Sequence, residues 1–484
     1  MEGVETPFLI GREKLDNNNG QGSSYNQDSS SQSPLTFAVV LTTLVLYCGS
    51  YAAGNSMGYS SPAESGIIND LGLTLPQYSV FVSIVLVGMV FGAVLSGKTA
   101  DVIGRRGTLG VADLFSITGW LAITFSKGAL WLDVGRFLLG FSIGLCSYAG
   151  PIFVAEITPQ NVRGALMSVV ALTTTFGTAV FFLIGPLVNW RTLSLIGIYV
   201  SLLSGVVPYL LQLPGLLMIP ESPRWLMKVG RAEECENALR RLRGEKADIS
   251  KEKADIKDHI EHSNRTSEDG ILSVFQRKYA RCLIIGIGLV ALPQFGGSGA
   301  VSFYTSSIFQ SAGFSSRFGS VAVGTTQVLT AILGVLFIDK FGRRPLLLIS
   351  AVGTCLGSLL IGLSFFLQDN LHFWERNSPV LSLIGVLVYV GFYSLGLAGI
   401  PLIISSEIFP MNVKGSAGSI IYVILYSSSW VISYTYNFMF QWNSAGTFLI
   451  FAAISGGTIL FIWKMVPETK GRTLEEIQAS IIHE

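Results

Sequence analysis

Asp101-Val-Ile-Gly104-Arg105-Arg106 ends one long apolar run, and Asp339-Lys-Phe-Gly342-Arg343-Arg344 ends another about half a chain later. Two further pairs keep the same order. Glu156-x-x-Pro159-x-x-x-Arg163-Gly164 returns as Glu407-x-x-Pro410-x-x-x-Lys414-Gly415, and Pro220-Glu221-Ser222 returns as Pro467-Glu468-Thr469. Three motifs repeated in order at a similar offset describe a chain built twice from one plan. Each sits where apolar sequence gives way to charge.

Composition agrees with membrane spans. Half of the residues are hydrophobic, 13% are charged, and the mean hydropathy is +0.54. That charged fraction is about half of a soluble domain's. The net charge of +1 gives no pull toward nucleic acid. Apolar runs of roughly 20 residues, enough to cross a bilayer, lie near 35–57, 78–98, 109–126, 131–153, 165–188, 194–219, 281–310, 316–338, 346–367, 379–405, 416–439 and 446–465. Two parallel repeats of several spans each are a transporter architecture. Alternate connections are poor in basic residues, holding Lys127, Arg191, Arg317 and Arg376, and residues 58–77 hold none. The other set holds Arg105, Arg106, Arg163, the basic-rich segment 220–279, Lys340, Arg343, Arg344 and Lys414. The positive-inside rule then predicts both termini and the middle loop in the cytosol.

The organisation expected is a polar tail over 1–34, a six-span bundle over 35–219, a cytosolic helical linker over 220–279, a second six-span bundle over 280–466 and a tail over 467–484. Within the first tail, Glu5-x-x-x-Leu9-Ile10 fits an acidic dileucine sorting signal read by adaptor proteins. It favours a vacuolar or other endomembrane, with the plasma membrane as alternative. In the linker, Cys235, Ala238, Leu239 and Leu242 recur at helical spacing amid charges. The five cysteines form no disulfide framework. No metal-ligand cluster or nucleophile elbow occurs in the spans, so an enzyme is not expected, nor is a cofactor. The expected partners are a small-molecule substrate, the bilayer and sorting adaptors, with no nucleic acid, and the chain is expected to act as a monomer.

Charges at the ends of spans suit a gate. Alternating access rocks two halves, and ion pairs shielded from solvent can bias such a two-state equilibrium. The gate candidates are Asp101, Arg105, Arg106, Glu156, Arg163, Glu221, Arg224, Asp339, Arg343, Arg344, Glu407, Lys414 and Glu468. In combination, Gly97-x-x-x-Asp101-x-x-Gly104-Arg105-Arg106, Glu156-x-x-Pro159-x-x-x-Arg163-Gly164, Pro220-Glu221-Ser222-Pro223-Arg224 and Pro467-Glu468-Thr469-Lys470-Gly471 resemble the sugar porter family of the major facilitator superfamily. The resemblance covers about 35–478. Gly58-Tyr59-Ser60-Ser61-Pro62 adds a likeness to the class-three glucose facilitators and to the plant early-responsive-to-dehydration-like monosaccharide transporters. It implies an all-α membrane protein of twelve transmembrane helices in two six-helix bundles, the major facilitator fold, moving a monosaccharide through a central site built mostly by the second half.

At that site the chain departs from the family. The family's Gln-Gln-Leu-x-Gly-Ile-Asn corresponds to Pro293-Gln294-Phe295-Gly296-Gly297-Ser298-Gly299, which keeps only the second amide. A fifth-span glutamine becomes Ala171, a tenth-span tryptophan becomes Leu402, and an eleventh-span Asn-Trp pair becomes Leu425-Tyr426. The substrate-contact candidates that remain are Gln294, Gln327, Phe303, Tyr304, Trp430 and Ser298. Proton-coupled members pair an Asp in the first span with an Arg in the fourth. Arg136 matches the Arg, but Ser56 stands at the Asp position, which favours facilitated diffusion. Asp133, one turn before Arg136, is the expected partner in a buried charge pair. Glu64 and Asp113 are alternative proton carriers, with simpler readings as a solvated loop charge and an ion-pair partner. The expected function is alternating-access movement of a monosaccharide or related small polar molecule. A proton-coupled symporter or exporter, a carrier of a non-sugar or glycoside, and a non-transporting sugar sensor stay open.

Overall fold

The computed structural model describes residues 36–159, 162–195, 207–245, 247–266, 274–370, 377–409 and 413–470. Among them every element is helical: α1 Phe37–Gly58, α2 Ser60–Leu71, α3 Leu75–Thr124, α4 Ala129–Ile157, α5 Arg163–Ile184, α6 Trp190–Leu195, α7 Val207–Met218, α8 Pro223–Lys228, α9 Ala232–Arg243, α10 Ser250–Thr266, α11 Ala280–Phe295, α12 Ser298–Ser311, α13 Ser316–Phe341, α14 Arg343–Asn370, α15 Ser378–Phe392, α16 Ile400–Ile408, α17 Lys414–Trp442 and α18 Ser444–Met465. Glu5, Leu9 and Ile10 lie outside the described residues, and so do the side chains of Arg163, Asp339 and Lys414.

Among the described residues, 10 helical stretches are long and apolar enough to cross a membrane. One of them, the 50-residue α3, holds two expected spans, joined where Gly104 leaves helical geometry at φ 84° and ψ 171°. The expected sixth span is seen as α6 and α7, on either side of 196–206, which are not described. The seventh is α11 and α12 with a break between them. The tenth is α15 and α16 joined through a π turn at Tyr393–Leu397.

Local chemistry starts and packs these helices. Thr74 and Gln77 form a capping box at the head of α3, each side chain bonding the other's backbone N–H. Gly88 and Gly92 of α3 face Gly140 and Gly144 of α4, and a Cβ at any of the four would strike the partner's backbone. Small residues four apart let the two backbones touch, the usual solution where lipid offers no hydrophobic drive.

The cores are divided unevenly. At the end of the bundle away from the repeated motifs, the far face, one core draws on both halves. It holds Tyr59, Tyr78, Phe81 and Trp120 from the first half and Tyr304, Ile308, Tyr436 and Phe448 from the second. At the motif face each half keeps its own core: Val39, Leu109, Phe153 and Leu216 in the first, and Leu289, Leu347, Ile404 and Ile462 in the second. Two of the described residue pairs that hydrogen-bond between halves lie at the far face, and the third, Ser147–Tyr426, lies nearer mid-bundle. The bonds join Ser61 Oγ to Ser306 Oγ at 2.9 Å, Asn437 Nδ2 to Ser79 Oγ at 2.8 Å, and Ser147 Oγ to Tyr426 OH at 2.6 Å. Among the described residues no ion pair joins the halves. The bundles are thus fastened at the far face and at mid-bundle, and keep separate cores at the motif face.

Between the halves, α8, α9 and α10 wrap their own small core. It includes Trp225, Cys235, Ala238, Leu239 and Ile256, so the apolar side of α9 is its buried side. Arg243 fastens this unit to the first half. It forms a bidentate pair with Glu252, at 3.0 and 2.7 Å, and donates from Nη1 to the Ile157 carbonyl at 2.8 Å, where α4 ends. A cation on terminal carbonyls meets the negative end of the helix dipole.

Candidate functional site

At the motif face the first half builds a closed network. Arg105 grips Glu156 with two bonds of 3.0 Å, from Nε and Nη2. Ser222 Oγ donates to Glu156 at 2.5 Å. Asp101 receives Arg105 at 3.5 Å and Lys228 at 3.0 Å, and its carbonyl accepts Trp225 Nε1 at 2.9 Å. Arg106 reaches the Ile219 carbonyl at 3.1 Å. Lys228, Ser222 and Trp225 are not among the gate residues expected from sequence. The aromatic and hydroxyl residues that follow Pro220-Glu221 are the signal that could have found them.

The Pro-Glu motifs have a specific task. Glu221 accepts the backbone N–H groups of Arg105 and Arg106 at 3.1–3.2 Å. Glu468 does the same for Arg343 and Arg344 at 3.1 Å. Each carboxylate therefore caps, from elsewhere in the chain, the first turn of the helix that starts after Gly104 or Gly342. That is where orphan donors and the positive dipole end lie. Both glycines have positive φ, 84° and 91°. A Cβ at Gly104 would lie 2.5 Å from Glu221 Oε2, and one at Gly342 would lie 2.9 Å from Glu468 Oε2. Gly104→Ala and Gly342→Ala are each expected to lose about 1–3 kcal/mol to backbone strain alone. Gly104→Ala should lose more, because its cap must also move. Thermal unfolding of purified protein checks both.

The two caps differ electrically. Burial pushes the Glu221 carboxyl above its ordinary value, against the N–H donors of Ser222, Arg106 and Arg105 and the Arg106 charge. At Glu468 burial acts the same way, but backbone N–H groups of Lys470, Arg343, Arg344 and Thr469 overcome it and hold the carboxyl low. A lowered carboxyl contributes stability above its unfolded value of about 4.3, and that contribution fades as pH falls through the lower folded value. Glu468→Gln should therefore unfold at lower temperature than the parent at pH 7, with the gap closing below about pH 4.

The second half's network is looser. Arg343 meets Glu407 through one contact of 3.7 Å, with side chains 22% and 21% exposed, against 9% and 10% for Arg105 and Glu156. Arg343 Nε, Arg344 Nε and Glu407 Oε2 are buried without partners. Arg344 Nη2 donates to the Trp463 carbonyl at 2.5 Å. Arg224 is exposed.

In the centre, Gly296 and Gly297, the latter at φ 93°, break the seventh span. The carbonyl freed at Gly296 accepts Tyr389 OH at 3.0 Å. Broken backbone at membrane depth needs such a partner. The break presents Gln294, whose Oε1 accepts the Ser298 hydroxyl at 2.8 Å and whose Nε2 lies 3.4 Å from Tyr393 OH. Tyr393 opens the π turn, where Ser350 supports the irregular backbone by bonding Phe392 O and Leu397 N. Such turns recur at functional sites. Tyr393 is not among the contacts expected from sequence, although Gly391, Gly396 and Gly399 around it are a visible sign of irregular backbone. Gln327 on α13 has a buried amide oxygen with no partner. Gly299 stands where the resemblance places an asparagine. A Cβ there would meet Ser433 Oγ at 2.8 Å and Ser429 Oγ at 2.9 Å, so hydroxyls of α17 fill that space.

Other expected residues lie elsewhere. Phe303 and Tyr304 are buried in the shared far-face core, where Tyr304 donates to the Ser433 carbonyl at 3.1 Å and stacks on Tyr436. Trp430 is 39% exposed and stacks on Tyr434 of its own helix. The Asp133–Arg136 pair does not form. Arg136 is fully buried, donates to the Ser56 carbonyl at 2.8 Å and to Ser60 Oγ, and lies over the rings of Tyr59 and Phe81. A carbonyl, a hydroxyl and two π faces meet the cation in place of a carboxylate, its Nε stays without a hydrogen-bond partner, and Asp133 Oδ1 is buried without one too. Glu64 is no solvated loop charge, being 7% exposed with Oε2 unpartnered, and Asp113 is no ion-pair member, since neither of its buried oxygens has a partner. Helix packing buries both side chains, Glu64 beside a polar cavity at the far face and Asp113 within the first half.

Residues 13–480 match the family described as "Sugar (and other) transporter". The chain is 45% identical over 447 residues to Sugar transporter ERD6-like 10 of Arabidopsis thaliana, covering 92% of this chain and 96% of that one. It is 44% identical over 456 residues to Sugar transporter ESL1 of the same plant, covering 94% and 95%. The solved proton:xylose symporter XylE bound to 6-bromo-6-deoxy-D-glucose aligns at a TM-score of 0.71 and 26% identity, over 92% of this chain and 99% of that one. An inward-open XylE from E. coli aligns at 0.74 and 24%, over 92% and 100%.

Proposed function

The chain belongs to the sugar (and other) transporter family, and from that membership we propose that it moves a monosaccharide across a membrane by alternating access, as facilitated diffusion. The observation that carries the site is the cluster of Gln294, Ser298 and Tyr393 at the break of the seventh span, with the unspent amide oxygen of Gln327. A sugar hydroxyl buried unpaired costs about 1–3 kcal/mol. A mixed set of amide, hydroxyl and phenol groups supplies both donors and acceptors.

The motif face is the cytosolic one in this reading, and the separate cores of the halves there support a state open toward it. Sugar enters between the separately packed halves and meets the Gln294 cluster. The halves then rock so that the motif networks approach and the aromatic core at the far face parts. Phe303 and Tyr304 act as the far gate, which revises their expected role as contacts in this state. Among the described residues Arg136 has no carboxylate partner whose protonation would be tied to each cycle, which favours movement without a proton. The Glu5, Leu9 and Ile10 signal directs the carrier to an endomembrane.

Uptake into proteoliposomes, screened by competition with sugars, polyols and less polar glycosides and run with and without a pH gradient, tests the reading. Monosaccharides should compete, and a protonophore should leave equilibration unchanged. Accumulation that a protonophore abolishes contradicts facilitated diffusion, and absence of any saturable uptake favours a sensor.

A further inference from the structure

At the far face a cavity of about 510 Å³ opens between the halves. Its first-half wall comes from α2 and from the segment leading to α6. Its second-half wall comes from α12 and the head of α13. It is separate from the Gln294 cluster and from the motif face. Glu64 lines it, nine-tenths buried. A carboxyl so far removed from water is costly unless hydrogen-bond donors meet it at the cavity wall.

The other walls narrow the ligand class. Asp70 is held in place by the Trp190 indole N–H at 2.7 Å. Asn69, Gln310 and Arg317 add amides and a guanidinium. Arg317 opposes a metal cation, and the two acids oppose an anion. The volume far exceeds what a single ion fills and falls within the range of small-molecule pockets, about 300–1,000 Å³. A neutral polyhydroxyl ligand uses both signs of hydrogen-bonding group and fits the space.

We propose that this cavity is a second monosaccharide site, distinct from the transport site, which a sugar on the far side occupies only while the far gate is shut. Both halves wall it, next to the Ser61–Ser306 hydrogen bond that joins them. A sugar bound there adds interactions that disappear when the halves part. By linkage it holds the far face closed in proportion to its differential affinity for that state. A high far-side sugar concentration therefore slows the carrier's return.

Hydrogen–deuterium exchange of the full chain in nanodiscs, with and without saturating D-glucose, tests this. D-Glucose should slow exchange at least about threefold in peptides spanning 62–70 and 306–317, as well as in those spanning 293–299. Ser307→Trp, which fills the cavity, should abolish the first effect and keep the second. Glu64→Gln, nearly isosteric, should weaken the first effect and serves if tryptophan is not accommodated. Protection confined to 293–299, or far-face protection unchanged in both variants, overturns the proposal. Protection at the far face alone would uphold it and sink the central-site reading. No protection anywhere overturns both for this sugar.

Discussion

Arg105→Ala is expected to destabilise the protein by about 3–5 kcal/mol and to remove most transport, whereas Arg343→Ala should cost about 1 kcal/mol or less. The sequence makes the two arginines equivalent members of one repeated motif. The structure does not. Arg105 and Glu156 are nine-tenths buried and share two bonds of 3.0 Å. Removing one partner leaves a shielded charge without its counter-ion, which costs far more than the pair contributes net. Arg343 and Glu407 touch once, at 3.7 Å, with about a fifth of each side chain exposed. Thermal unfolding of both variants, with uptake rates normalised to folded protein, separates them. Equal losses would mean that the difference between the halves carries no energetic weight.

Gln294→Leu should weaken monosaccharide binding at least about tenfold. The amide bridges Ser298 and Tyr393. Leucine can neither donate to a sugar hydroxyl nor accept from one, and two such hydrogen bonds at about 1 kcal/mol each amount to more than a factor of ten. Gln327→Leu should act in the same direction, through its buried and unsatisfied oxygen. Phe303→Leu, confined to the far-face core, should leave affinity nearly unchanged and alter the rate instead. Competition binding on detergent-solubilised protein distinguishes the three.

Much of the architecture is legible because apolar runs and repeated motifs are local signals. The same holds for the buried face of α9, where Cys235, Ala238, Leu239 and Leu242 follow helical spacing. What sequence does not disclose depends on packing between distant segments. Nothing within Pro220-Glu221-Ser222 says that its carboxylate caps a helix starting at Arg105. Sequence spacing pairs Arg136 with Asp133, yet its guanidinium turns to the Ser56 carbonyl and the rings of Tyr59 and Phe81. Gly299 looks in sequence like a lost asparagine, but Ser429 and Ser433 of α17 stand against it and need the space. Tyr393 stays hidden because a π turn has no strong sequence signature.

In the proposed cycle, two halves joined at the far face exchange that closure for one at the motif face. Spin labels test it directly in a chain with its five free cysteines replaced. One pair spans the motif face, at exposed Val102 and Phe341, and another spans the far face, at exposed Leu187 and Phe318. Two distance populations are expected for each pair, and sugar should shift them in opposite senses. As the motif-face distance shortens, the far-face distance must lengthen. A single population at both faces, unmoved by any transported sugar, would contradict alternating access in this protein.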